Sequence, residues 1–187
     1  MTTPSVHIPQ GWNYNPSAWS QRWPLIFIAF VGFAIALYLG LFQIEMITSV
    51  WEPFFGLGSE KVLTSKISKA LPIPDALLGA FSYLLDVVTG VIGGTSRWRT
   101  KPWIVILFGF ATGPLGLTSV LLVILQPIAV GTWCTLCLVT AMISIVMISP
   151  AMDEVLASLQ YLQRAKQHGY SIWDAFWGKK SVTDKLQ

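Results

Sequence analysis

Charge is what this sequence has least of. Asp, Glu, Lys and Arg together make up 11% of its 187 residues, where soluble domains carry about 25%. The deficit is concentrated in four long blocks that contain no Lys or Arg, while hydrophobic residues reach 53% of the chain. That excludes an ordinary soluble domain and points to a small, single-domain, all-α integral membrane protein. Histidine is nearly as scarce. His7 and His168 both lie far from the two cysteines along the chain, so no zinc site is assembled and no metal centre is expected. The net charge is a modest +3, and nothing suggests nucleic-acid binding. A cleavable secretory signal is missing too. Residues 1–22 are polar and aromatic, and the first apolar block is long enough to span.

The apolar blocks predict a four-transmembrane-helix bundle over residues 23–149, with spans at about 24–43, 75–93, 103–126 and 128–149. An N-terminal tail (1–22) and a C-terminal tail (150–187) flank it, and no internal repeat is visible. Trp23-Pro24 opens the first span, with tryptophan at the interface and proline in the first turn. Gly32, Ala34, Ala36 and Gly40 either admit a neighbouring helix or simply face lipid. In the N-terminal tail, Trp12, Tyr14 and Trp19 suit the headgroup layer, the alternative being a loosely ordered tail. Pro114, among Gly109, Gly113 and Gly116, predicts a kink in the third span. Leu125-Gln-Pro-Ile128 predicts a tight antiparallel turn into the fourth, and Ser149-Pro150 its end.

The loop 44–74 contains a short amphipathic helix that starts at Ser59 as N-cap. Val62, Leu63, Ile67, Ala70 and Leu71 share one arc, and Lys61, Thr64, Ser65, Ser68 and Lys69 fall largely on the other. Such a helix lies on the membrane over the bundle, and Leu71-Pro-Ile-Pro74 ends it. A second amphipathic stretch carries Val155, Leu156, Leu159 and Leu162 and is capped by Gly169. Ser171 to Asp174 resembles a capping-box start for a further short helix, with Trp173, Phe176 and Trp177 as interfacial anchors. Asp86 stands alone inside the second span. A carboxyl there needs a partner. It is either protonated or satisfied by a hydroxyl such as Tyr38 or Thr140, and a structural hydrogen bond ranks ahead of a proton relay.

Both cysteines fall in Gly131-Thr-Trp-Cys-Thr-Leu-Cys137, spaced C-x-x-C at the start of an apolar helix. Positions i and i+3 share a helical face, so the sulfurs come within bonding reach. Unpaired amides and the positive end of the helix dipole favour a thiolate there. Two buried small hydrophobes, or a static disulfide, remain open alternatives. The distribution of cations sets the topology. Arg22, Arg97, Arg99, Lys101, Arg164, Lys166, Lys179, Lys180 and Lys185 lie on one side of a four-span bundle, against Lys61, Lys66 and Lys69 on the other. The positive-inside rule then places both termini in the cytoplasm, and the loop 44–74 and the C-x-x-C turn on the outer side. In bacteria that side is oxidising.

These features together resemble the vitamin K epoxide reductase family. Ser59-Glu-Lys-Val-Leu-Thr-Ser65 is similar to the family's C-x-x-V-[LF]-x-S loop segment. Pro74-Asp-Ala-Leu-Leu-Gly79 followed by Tyr83 is similar to its second-helix G-x-x-x-Y signature, and Cys134-Thr-Leu-Cys137 matches its active-site pair. The resemblance covers roughly residues 24–149. It implies a four-helix bundle around a quinone, ubiquinone or menaquinone, in the bacterial inner membrane. Cys137 would contact the quinone and Cys134 would receive electrons. Ser65 would help shape the site, and Asp75 stands where the family has a quinone-contacting asparagine. Phe81, Tyr83 and Trp133 are further candidates for the ring pocket. The family's loop cysteine pair is absent, with Trp51 and Ser59 at its positions. An internal shuttle cannot operate, so an external thioredoxin-like thiol protein is the implied electron donor. The other reading is a non-catalytic subunit of a membrane complex that keeps the C-x-x-C as structure.

Overall fold

The computed structural model describes residues 8–68, 72–183 and 185. Its elements are α1 (Trp19–Gln43), α2 (Gly58–Leu63), α3 (Asp75–Val91), α4 (Arg97–Thr100), α5 (Pro102–Phe110), a π-helical turn (Ala111–Leu115), α6 (Gly116–Ala129), α7 (Thr135–Gln167), α8 (Ile172–Phe176) and α9 (Lys180–Thr183). No strand occurs among the described residues. Among the described residues, three stretches are long and apolar enough to cross a membrane: Trp19–Gln43, Pro102–Ala129 and Thr135–Gln167. The expected second span, α3, has 17 residues. At 1.5 Å per residue it covers about 25 Å, somewhat less than a typical hydrocarbon core of about 30 Å.

The surface is that of a protein solvated by lipid. Large apolar side chains such as Phe27, Phe30, Leu121, Ile124, Met142 and Ile145 point outward, while Ala29 and Ala36 are buried. Small residues mediate the close pairing of α1 with α3. A Cβ on Gly32 would collide with the Tyr83 ring, and one on Gly40 with Leu77. Of the four small residues marked in the first span, Gly32, Ala36 and Gly40 thus serve packing, and Ala34 is exposed. This is the arrangement expected where helix association depends on close contact and not on escape from water.

Prolines read from sequence as boundaries turn out to lie inside helices. Helix α1 begins at Trp19 and contains Pro24. Helix α6 continues through Pro127 to Ala129, so the turn into α7 is formed by Val130 to Cys134 and not by Leu125 to Ile128. Helix α7 passes Pro150 and reaches Gln167 without a break. A helix embedded among neighbours tolerates proline because its freed carbonyl is satisfied by local adjustment. Pro114 does distort its helix as expected, through the π-helical turn. Pro102 occupies the first turn of α5.

Gly169 caps α7 as expected. Its φ is +78°, its N–H donates to Lys166 O, and the Tyr170 N–H donates to Ala165 O. That is a Schellman closure. Ser171 is the N-cap of α8, but its hydroxyl makes no capping bond. Asp174 pairs instead with Lys179 at 2.6 Å. Helix α2 is shorter than predicted, with Leu57 as its N-cap and Ser59 inside it. Lys69, Ala70 and Leu71, assigned by sequence to the same helix, lie outside the described residues.

At the end of the bundle remote from the cysteines sits a buried ionic cluster. Arg97 Nε and Nη2 donate to the two carboxylate oxygens of Glu154, each at 2.5 Å. Their side chains are 0% and 2% exposed. Arg97 also donates to the Thr89 carbonyl at 2.5 Å and to that of Ile92 at 3.2 Å. Arg22 donates to the carbonyls of Gly93 at 2.8 Å and Ile92 at 3.0 Å. Two guanidinium groups thereby satisfy the unpaired carbonyls at the end of α3, where the helix dipole favours positive charge. The N-terminal tail is tied to the same place. Ser17 donates to Glu154 and Tyr14 to Asp153, so residues 14–17 form part of the fold and not a loose segment. The charge pattern treats Arg22 as a tail cation and Arg97 and Arg99 as loop cations, but all three are buried. Beyond this cluster, Trp98, Tyr161, Ala165, Ala175 and Val182 form a small core that anchors the C-terminal helices.

Candidate redox site

Cys134 and Cys137 are paired as a disulfide, with Cα atoms 5.2 Å apart. Cys134 is the N-cap of α7, in extended conformation, and its Sγ accepts the Cys137 N–H at 3.1 Å. The amide of a helix's first turn thus points at sulfur, the arrangement that favours a thiolate at that position. The two sulfurs face different surroundings. Cys134 is fully buried with Leu39, Val50, Val62 and Leu63. Cys137 is partly exposed and lines a cavity inside the bundle.

The cover over Cys134 is held by Glu52, a residue that sequence reasoning passed over. Its carboxylate accepts the Ser59 hydroxyl at 2.5 Å and the Thr135 N–H at 2.9 Å, and also the Thr135 hydroxyl. Loop, α2 and the first turn of α7 are joined at one group. Gly58 makes this contact possible, since a Cβ there would collide with the Trp133 carbonyl oxygen. The available signal was an acid isolated in the apolar run Val50-Trp-Glu-Pro-Phe-Phe55. Partial burial pushes the Glu52 carboxyl up, but the hydrogen bonds from Ser59 and Thr135 outweigh it and hold the pKa at about 2. A lowered folded-state pKa contributes stability above the unfolded value of about 4.5 that is lost as pH falls towards 2. Discounted for solvent screening, Glu52→Gln should lower stability by about 1–2 kcal/mol at pH 7. The gap between variant and wild type should close as pH falls from 4.5 towards 2, a trend that melting curves in detergent at several pH values will check. A gap independent of pH would show that the charge is irrelevant.

The cavity has a volume of about 220 Å³; about 150 Å³ is enough to hold benzene. Leu39, Leu122, Val123 and Met147 supply apolar wall, and Tyr83, Asp86, Gln126 and Cys137 supply polar groups. Of the residues marked from sequence, Asp75, Tyr83 and Cys137 meet here. The Tyr83 hydroxyl donates to the Thr140 carbonyl at 2.6 Å and lies 2.8 Å from the Ser144 hydroxyl. Asp75 Oδ1 accepts from Gln43 Nε2 at 2.5 Å, the Ser68 hydroxyl at 2.6 Å and the Ala76 N–H at 2.9 Å. Ser65 lies beside a smaller adjoining pocket, where its hydroxyl accepts the Ser68 N–H at 3.3 Å. Phe81 is 57% exposed, on the outward side of α3, and does not line the cavity. Trp133 contributes its backbone to the Gly58 contact and does not line the cavity either. Asp86 is satisfied by Thr112 at 2.9 Å, and not by Tyr38 or Thr140. Tyr38 instead accepts the Trp51 N–H at 3.1 Å, and the Thr140 hydroxyl donates to the Cys137 carbonyl at 2.9 Å.

Gln126 also went unmarked. It is buried, it lines the cavity, and its Oε1 accepts the Cys134 N–H at 3.0 Å. A lone amide near the end of an apolar helix, eight residues before the first cysteine, was the signal in the sequence.

A helical membrane protein with paired cysteines at a helix start, one of them opening on an apolar cavity, belongs to the class built for membrane thiol chemistry. More specifically, the chain belongs to the vitamin K epoxide reductase family, whose model matches residues 23–151. Neither a search of curated proteins nor one of solved structures returned a significant match. Membership marks the chain as a membrane thiol oxidoreductase by family.

Proposed function

We propose that this protein is a quinone-linked thiol oxidoreductase of the inner membrane of a bacterium. The observation that carries the reading is the division between the two sulfurs: Cys137 opens on the cavity while Cys134 lies under the loop. In the reaction, the reduced Cys134–Cys137 pair loses two electrons and two protons and becomes a disulfide. A ubiquinone or menaquinone ring in the cavity gains both and becomes the hydroquinone. An external thioredoxin-like dithiol then reduces the disulfide by thiol exchange and is itself oxidised. Asp75, Tyr83 and Ser65 belong to the quinone end of the site on this reading.

The bundle spans the membrane four times, with α3 as the short second span, within the lower range of spanning lengths. Both termini are cytoplasmic and the C-x-x-C faces outward. Lys101, Arg164, Lys166, Lys179, Lys180 and Lys185 remain the cations that favour this orientation. Because Cys134 is fully buried, a partner thiol reaches it only when the Glu52 contact releases the loop.

Trapping tests the reading. In Cys137→Ser, the disulfide between Cys134 and an outside dithiol protein cannot be resolved by its neighbour. A reducible adduct with a thioredoxin-like protein should accumulate on the outer side of intact cells. Cys134→Ser is made in parallel, since it reports whether the two roles are reversed. If neither variant forms an adduct and the wild-type disulfide ignores added dithiols, the pair is structural and the chain is a scaffold subunit.

A further inference from the structure

We infer that Gln126 binds the quinone, its side-chain amide donating a hydrogen bond to the ring carbonyl that takes up charge beside Cys137. The inference rests on the quinone reading above and identifies the group that performs a task which Asp75 cannot perform as a carboxylate.

The argument begins with which donors the cavity has left. A quinone carbonyl is an acceptor, and its oxygen becomes more negative as electrons arrive, so the site needs a donor there. Asp75 stands where the family has an amide, but a carboxylate only accepts. Its Oδ1 is already the meeting point of Gln43, Ser68 and Ala76. The hydroxyl protons lining the cavity are mostly committed. Tyr83 gives its proton to the Thr140 carbonyl, Thr140 to Cys137, Thr112 to Asp86 or Phe108, Ser82 to Ala111 and Thr118 to Pro114. Ser119 also lines the cavity, but it lies two helical turns further along α6 from the dithiol.

Gln126 differs on each point. The Cys134 N–H can pair only with an acceptor, so the bond at 3.0 Å assigns Oε1 to it and leaves the NH2 group as the free end. Among the described residues no hydrogen bond is made by that NH2 group, and Gln126 lines both the cavity and the smaller pocket adjoining it. A primary amide is therefore anchored through its oxygen to the dithiol turn, with two uncommitted N–H donors on a residue that lines the cavity Cys137 faces. Such a donor is preorganised: its orientation is set before the ligand arrives. No ion or additional reactant is needed, because the amide only stabilises charge while electrons and protons pass from dithiol to quinone.

Two variants and a short-chain ubiquinone test this, with dithiothreitol as reductant and purified full-length protein in liposomes. Gln126→Met removes both ends of the amide. Gln126→Glu keeps the oxygen that accepts the Cys134 N–H but removes the donor while ionised. Both should lower kcat/KM for the quinone by about 10–100-fold. Both should also lose the rise in melting temperature that the quinone produces in wild type. In both variants the loss in the quinone assay should exceed any change in disulfide reduction by dithiothreitol without quinone by about tenfold or more. Protonating the introduced carboxyl restores a donor, so the Gln126→Glu deficit relative to wild type should shrink as pH falls. Wild-type kcat/KM in Gln126→Met would overturn the inference while leaving the quinone reading intact. So would a deficit that appears equally in the quinone-free reduction. A wild-type protein that fails to reduce the quinone at all would overturn both.

Discussion

Glu154→Ala is expected to destabilise the protein by about 3–5 kcal/mol, the usual cost of leaving one member of a buried ion pair uncompensated. Arg97 would keep its charge at 0% exposure without the carboxylate that it contacts through both Nε and Nη2. Arg97→Met should cost a similar amount for a different reason. It strands the carboxylate and also takes a donor from the carbonyls of Thr89 and Ile92 at the end of α3. The double variant Arg97→Met/Glu154→Leu should be clearly more stable than the sum of the two losses suggests, since no charge is then left alone. Arg22 still serves the carbonyls of Gly93 and Ile92 in that variant. Denaturant or thermal unfolding in detergent, run as a double-mutant cycle, measures this coupling. Strictly additive losses would mean that the pair is not the unit the geometry suggests.

The second large effect concerns chemistry and not folding. Cys137→Ala should reduce dithiol-driven quinone reduction by on the order of a thousandfold or more, as removal of an attacking nucleophile does elsewhere. Cys134→Ala should do the same, because a lone thiol cannot complete a two-electron exchange. The stability cost of either variant should be small by comparison. A bond closing so short a loop contributes only about 2 kcal/mol in the chain-entropy picture. The ratio of the two effects separates the readings. An enzyme loses turnover while melting almost normally, and a scaffold subunit loses only the stability of the cross-link. Assays of kcat beside melting curves on the same preparations decide between them.

Whatever the sequence states locally could be read from it. Three of the four apolar blocks, the helix-start dithiol, the Pro102 opening of α5 and the Gly169 cap each depend on a few neighbouring residues, and each appears in the structure. So does the distortion at Pro114. The failures have a common physical cause, which is that distant contacts outvote local preference. Pro24, Pro127 and Pro150 read as boundaries, but packing carries the helices past them. Arg97 and Glu154 are 57 positions apart, and nothing in the composition of either segment announces the pairing. By sequence, Arg97 therefore reads as a loop cation. Glu52 and Thr135 are 83 positions apart, so the contact that seals Cys134 was invisible as well. Phe81 shows the limit of residue type as a guide. An aromatic two residues from Tyr83 suits a ring pocket by composition, but the helix turns it outward, to 57% exposure. Asp86 was correctly seen to need a hydrogen bond, but its partner Thr112 lies on a π-helical turn that sequence could place only as a kink.

The most direct test of the account is a titration of the Cys134–Cys137 pair against a quinone. Fully reduced protein in liposomes is mixed with increasing ubiquinone or menaquinone, with no other oxidant present. Free thiols and hydroquinone are counted together. The account predicts that two thiols disappear for each hydroquinone formed, and that Cys137→Ala forms none. Thiols that persist in the presence of excess quinone, or that oxidise without a matching yield of hydroquinone, would contradict it.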